Sequence, residues 1–130
     1  MGKKACVTGG AGFIGSHLTE RLLKEGYQVI VIDNLSTGRL NNIKSFRNDP
    51  NLTIVEADIN DTDKIKKYFK DVEYVFHLAA LADIVPSIVK PIDYHRSNVD
   101  GTISVLEAAR RAGVEVGGVG GTGGCWRGAR

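Results

Sequence analysis

Thr8-Gly9-Gly10-Ala11-Gly12-Phe13-Ile14-Gly15 follows the apolar run Ala5 to Val7 and decides the fold of this 130-residue chain. The apolar run reads as a short strand. After the glycines, Phe13, Ile14, Leu18 and Leu22 fall at helical spacing and Gly26 supplies a stop, so the stretch is a strand, a turn and a helix. Gly9 allows a tight turn, Gly12 lacks the Cβ that would hold backbone away from a pyrophosphate, and Gly15 lets the helix press on the strand. The amide end of such a helix faces an anion. A glycine string of this kind in other surroundings is an ordinary strand-to-helix turn, so its meaning rests on the residues downstream of it.

A second strand, Tyr27 to Ile32, ends in Asp33, 18 residues beyond Gly15. That spacing is close to the roughly 20 residues at which a carboxylate takes the adenosine ribose hydroxyls of a dinucleotide. An acid at a strand end also serves as a helix cap or turn residue; the glycines before it favour binding. Residues 34–38 form a polar loop, and Leu40 to Phe46 make one irregular helical turn before the Asp49-Pro50 break. A third strand spans Leu52 to Val55. Asn60 or Asp61 then caps a helix carrying Ile65, Tyr68 and Phe69. Tyr74 to Leu78 is apolar at nearly every position, the pattern of a parallel strand covered on both faces. Residues 81–90 read as loop or broken helix. Pro91 opens a long helix to about Arg111, lined by Ile92, Val99, Ile103 and Leu106 and stopped by Gly113. Strands alternating with helices give an α/β class, a Rossmann-type doubly wound parallel sheet in the order 3-2-1-4.

A fifth strand is expected after Gly113, but residues 117–130 are half glycine and lack the β-branched run of a buried strand. The composition therefore predicts a sheet truncated after the fourth strand and following helix. Residues 1–116 would form an incomplete dinucleotide-binding domain and residues 117–130 a flexible tail, reading as translation out of frame. The apolar fourth strand would then be an exposed edge prone to self-association. The formal charge of +2 comes from Arg127 and Arg130 in the tail, and the rest of the chain balances. A neutral body without basic stripes argues against nucleic acid and anionic membranes as partners. No segment approaches a membrane span or a secretory leader, and Cys6 stands where a myristoylation motif wants Ser or Thr. Two distant cysteines make no disulfide framework, so a cytoplasmic setting is expected.

The chain resembles the extended short-chain dehydrogenase/reductase family, and within it the nucleotide-sugar epimerases and dehydratases, most closely UDP-glucose 4-epimerase-like members. The markers are T-G-G-A-G-F-I-G-S-H-L from Thr8, D-N-L-S-T-G from Asp33, A-D-I from Ala57, H-L-A-A from His77 and N-V-D-G-T from Asn98. The resemblance implies an NAD site in which Gly9, Gly12, Phe13, Ile14 and Gly15 offer backbone to the pyrophosphate. Asp33 and Asn34 would hold the adenosine ribose, and Asp58 and Ile59 would flank the adenine. Leu78, Ala79 and Ala80 would pass beneath the phosphates and nicotinamide ribose, and Asn98 would reach the cofactor from its helix. Read without the family, Asp58 equally fits a turn cap, Ala79 and Ala80 tight packing, and Asn98 a partner for buried backbone groups. A carboxylate at Asp33 favours NAD over NADP, because it repels a 2′-phosphate; Arg39, beyond the loop, is the nearest cation that could offset it.

The resemblance further implies catalysis by a tyrosine with a lysine four residues later. The tyrosinate would take the sugar 4-hydroxyl proton, hydride would pass to the nicotinamide, and a 4-keto intermediate would turn over before hydride returns. None of Tyr27, Tyr68, Tyr74 and Tyr94 has lysine at that spacing. His17, His77 and His95 are scattered, neither cysteine has metal-ligand spacing to them, and Ser16 and Ser87 lack a base and orienting acid. No catalytic residue is assigned, and the chain alone is expected to be inactive. The reading is an NAD-binding N-terminal portion of a UDP-sugar 4-epimerase, with the long helix from Pro91 available for a homodimer. A 4,6-dehydratase fragment and a non-catalytic NAD-binding or sensing module are the alternatives.

Overall fold

The computed structural model describes residues 3–36, 38–79, 88–114, 116–119 and 125–127. Strand β1 (Lys4–Thr8) leads into helix α1 (Phe13–Lys24), and β2 (Gln28–Asp33) comes next. A 3-10 turn at Leu40–Ile43 precedes β3 (Leu52–Glu56). Helix α2 (Thr62–Ile65) runs on as a 3-10 turn, Lys66–Phe69, before β4 (Tyr74–His77). The long helix consists of α3 (Pro91–His95), a π-helical turn (Arg96–Asp100) and α4 (Gly101–Ala112), and Gly113 ends it at φ 75°. Asp61 caps α2 by accepting a hydrogen bond from the Lys64 amide at 3.3 Å.

The expected sheet forms. β1 pairs in parallel with β2 on one side and β4 on the other, and β2 pairs with β3, giving the order 3-2-1-4. Because β1 is flanked on both sides, Ala5, Cys6 and Val7 are fully buried. Their alternation splits the core: Cys6, Ile30, Ile32 and Val75 pack with Phe69, Ile65, Val105 and Ala109 on one face, and Ala5, Val7, Val29 and Val31 with Leu22 on the other. This is the two-faced covering that continuous apolar strands require.

Truncation after the fourth strand does not survive. β5 (Val116–Val119) pairs in parallel with β4, and β6 (Cys125–Arg127) pairs antiparallel with β5, so the sheet has six strands. The edge of β4 is thus covered along Tyr74 to His77, and the expectation of an exposed apolar edge falls with it. The physical reason is that a strand ladder is built from backbone groups. The unpaired amides and carbonyls of β4 template an extended neighbour, and glycine costs only about 1 kcal/mol per position in doing so. Gly117, opposite Val75, is buried. Residues 80–87, which include Ala80, lie outside the described residues.

The β1–α1 turn is where the glycines are needed. Gly9 sits at φ 73°, and a Cβ there would lie 2.8 Å from the Ala79 amide nitrogen and the Leu78 carbonyl carbon. At Gly15 a Cβ would meet the Gly9 carbonyl oxygen and lie 2.9 Å from Gly10 Cα, both of them backbone that cannot move aside. Gly15→Ala is therefore expected to lower unfolding free energy by about 2 kcal/mol or more, measured by urea titration. Wild-type stability in that variant would show that α1 does not need its close approach to β1.

Candidate functional site

At the carboxyl end of β1 the chain leaves to one side toward β2 and returns from the other through β4. Open α/β sheets form a crevice at such a switch point. Here it is a cleft of about 290 Å³. Its lining takes in Gly9 and Gly12 from the glycine turn, Asp33, Asn34 and Ser36 from the end of β2 onward, and Asp58, Ile59 and Asn60 from the segment after β3. Leu78 and Ala79, here termed its floor, and Asp93, Arg96 and Ser97, here termed its outer wall, complete the lining together with Ile32 and Ala57.

Asp33 is held in place by backbone. Its Oδ2 accepts from the Ala11 amide at 3.0 Å and its Oδ1 from the Leu35 amide at 2.7 Å. The Leu35 bond forms with that residue at φ 61°, a left-handed conformation that a leucine adopts only under local restraint. A carboxylate has about four acceptor positions, and among the described residues these two amides fill two of them. The Ala11 carbonyl in turn accepts from the Arg39 amide at 3.0 Å and from Asn42 Nδ2 at 2.8 Å. The glycine turn is thus strapped to Asp33 on one side and to the 3-10 turn on the other. Asn42 went unassigned in the sequence, where the only trace is a polar residue directly before the buried Ile43.

The other residues assigned from sequence divide. Gly12 caps α1 in an extended conformation, and a Cβ there would meet only the Gly9 carbonyl oxygen, at 3.2 Å, so the space beside it is the cleft. Asp58 lines the cleft and also makes a turn, its Oδ1 accepting from the Asn60 amide at 2.8 Å; both readings of it describe the same residue. Ile59 is buried, and its carbonyl accepts from Ser104 Oγ at 2.5 Å. Phe13, Ile14 and Gly15 stand outside the lining; the Phe13 side chain is 77% exposed and meets the His17 ring edge to face. Asn98 is half-buried on the π turn, outside the lining, while its neighbours Arg96 and Ser97 line the outer wall. Neither of those two was assigned from sequence, because a π turn re-aims side chains in a way that no helical periodicity encodes, and Asp93, on α3, was not assigned either.

His77 is 4% exposed and fully engaged, rather than scattered at a strand end. Thr8 Oγ1 lies 2.6 Å from its Nδ1, and Thr102 Oγ1 lies 2.9 Å from its Nε2. The Leu78 and Ala79 amides donate to Thr8 Oγ1 at 3.1 and 3.2 Å. Burial lowers the His77 pKa from 6.5 to about 4, so the ring is neutral at pH 7. Among the described residues no group of His, Cys, Asp or Glu is arranged to hold a metal ion, and no helix is long and apolar enough to cross a membrane.

A model described as the NAD dependent epimerase/dehydratase family matches residues 5–128. The chain belongs to this family. A UDP-glucose 4-epimerase of Mycolicibacterium smegmatis is 44% identical over 113 residues, 85% of this chain and 36% of that protein. Among solved structures, an epimerase from Methanothermobacter thermautotrophicus is 41% identical with a TM-score of 0.84, matching 91% of this chain and 34% of its own. A dTDP-glucose 4,6-dehydratase of Streptomyces venezuelae, solved with NAD bound, is 36% identical with a TM-score of 0.81, matching 85% of this chain and 37% of its own. The chain spans between 24% and 36% of the length of the curated relatives it matches.

The low His77 pKa carries a pH dependence. Between pH 6.5 and about 4 the unfolded chain binds the proton that the folded chain refuses, so stability falls as pH falls. The contribution is complete above pH 6.5, and about 3 kcal/mol of it is lost by pH 4. His77→Gln should abolish that part of the slope, read from urea unfolding at stepped pH; equal slopes in the two proteins would contradict the assignment.

Proposed function

We propose that the cleft binds NAD and that the chain is the dinucleotide-binding part of a nucleotide-sugar 4-epimerase. The observation that carries this reading is the Asp33 carboxylate, fixed by the Ala11 and Leu35 amides and lining the same cleft as the glycine turn, Asp58 and Ile59. The residues fit the cofactor. Gly12 leaves room where diphosphate would approach the amino end of α1, Asp33 and Asn34 face the adenosine ribose, and Asp58 accepts from the adenine amine beside the apolar Ile59. Leu78 and Ala79 support the nicotinamide half from beneath, Ala80 would continue that floor, and Phe13, Ile14 and Gly15 contribute backbone. Asn98, on the π turn, reaches the cofactor from its helix. When bound, NAD supplies the acceptor and donor of hydride.

In the whole protein we assign reversible hydride transfer at C4 of a UDP-sugar, in line with the 4-epimerases among its relatives. The 4,6-dehydratase likeness supports a second reading with the same cofactor and a different fate for the oxidised sugar. We further assign a cytoplasmic setting and a homodimer surface on the long helix, where Ile92 and Ile103 are exposed.

Calorimetric titration of the chain with NAD and NADP tests the cofactor reading. NAD should bind at least about 10-fold tighter, because Asp33 accepts hydroxyls and repels a 2′-phosphate. Asp33→Ala should narrow that gap, and Gly12→Val should eliminate NAD binding while the thermal melt persists. Equal affinity for the two dinucleotides would refute the role given to Asp33.

A further inference from the structure

The two walls of the cleft come from distant parts of the chain. The floor is the end of β4, Leu78 and Ala79, and the outer wall is the π turn with Arg96 and Ser97. His77 lies between them. The donors decide where each proton sits along the connection. The Ala79 amide donates to Thr8 Oγ1 at 3.2 Å, and the Leu78 amide is shared between Thr8 Oγ1 at 3.1 Å and the Thr8 carbonyl at 3.0 Å. Thr102 Oγ1 gives its own proton to the Asn98 carbonyl, so it accepts from His77 Nε2, and Nδ1 is left to accept from the Thr8 hydroxyl, 2.6 Å away. On a neutral ring the proton is consequently on Nε2, which donates to Thr102 Oγ1 at 2.9 Å. Thr102 passes its own proton to the Asn98 carbonyl at 2.6 Å, within the π turn. Every donor has an acceptor, and the order reverses nowhere.

The same helix is fastened at neighbouring points. Asn60 Nδ2 donates to the Arg96 carbonyl at 3.0 Å, and Ser104 Oγ donates to the Ile59 carbonyl. Gly101 lies so close to Ile59 that a Cβ would come within 2.9 Å of its Cγ1. These contacts set the outer wall against the Ile59–Asn60 rim, and His77 sets it against the floor.

We infer that His77 is a positioning residue for the dinucleotide, a neutral imidazole held as the Nε2–H tautomer that fixes the distance between the Leu78–Ala79 floor and the Arg96–Ser97 wall. It acts through Thr8 and Thr102 and does not itself line the cleft. The inference rests on the reading of the cleft as the NAD site, but the tautomer and the coupling of the two walls do not.

Thr102 stands outside the cleft, so its effect on binding can only be transmitted. Thr102→Val should weaken NAD binding roughly 10-fold in calorimetry of the intact chain, and Thr102→Ser should restore it. Nitrogen-15 NMR of the wild-type chain should show His77 as the Nε2–H tautomer; the Nδ1–H tautomer would overturn the proposal even if the Thr102→Val protein fails to fold. In a folded Thr102→Val protein the amide resonances of Leu78, Ala79, Arg96 and Ser97 should shift together. NAD binding equal to wild type, or shifts confined to the helix, would overturn it. If the wild type binds no NAD, the cofactor reading fails, and the tautomer and the paired shifts still decide this inference.

Discussion

At the end of β1 there is room for backbone and nothing else. β1 lies between β2 and β4, and the chain that leaves it passes so close to the Leu78–Ala79 peptide that a Cβ on Gly9 would lie 2.8 Å from it, before α1 folds back over the sheet. Side chains at Gly9 or Gly15 would separate those layers, and the crevice exists because they are absent. The residues along the crevice are arranged around that absence. Asp33 ends the neighbouring strand and closes on the Ala11 amide, so the glycine turn and the acid are one hydrogen-bonded unit. Two donors from residues 39 and 42 then grip the Ala11 carbonyl from the far side.

Much of this was legible in the amino-acid sequence because it is local and periodic. Strands β1 and β2 are nearly continuous buried apolar runs, that pattern requires helices on both faces, and the strand order comes from short right-handed crossovers. Gly9, Gly12 and Asp33 were assigned from motif spacing, and Asn34, Asp58, Ile59, Leu78 and Ala79 from the family resemblance; the structure brings these eight to one cleft. Asp61 as the cap of α2 and Gly113 as the helix stop reflect side-chain chemistry at element ends, where the signal is strongest.

What the sequence concealed is non-local. β5 and β6 have no propensity to announce them, and they form where a neighbouring strand offers its backbone. His77 looked isolated because Thr8 and Thr102 lie 69 and 25 residues away, and no spacing rule connects them. The outer wall was missed for a different reason. Regular helical periodicity assigns Arg96 and Ser97 no common orientation toward the sheet, and only the wider π turn places both at the cleft.

The π turn also limits how this gene segment can change. Five residues, Arg96 to Asp100, occupy a stretch whose hydrogen bonds span one residue more than in an α-helix. Deleting any one of them would let the helix relax to regular geometry and rotate everything after it by about 100°. Gly101, Thr102 and Ser104 would then face away from Ile59 and His77, and three separate attachments would be lost in one step. Substitutions along the turn can be sampled one at a time by mutation, whereas a change in its length cannot be reached gradually. Descendants of this sequence should therefore keep the number of residues between Pro91 and Gly101 while the side chains between them diverge.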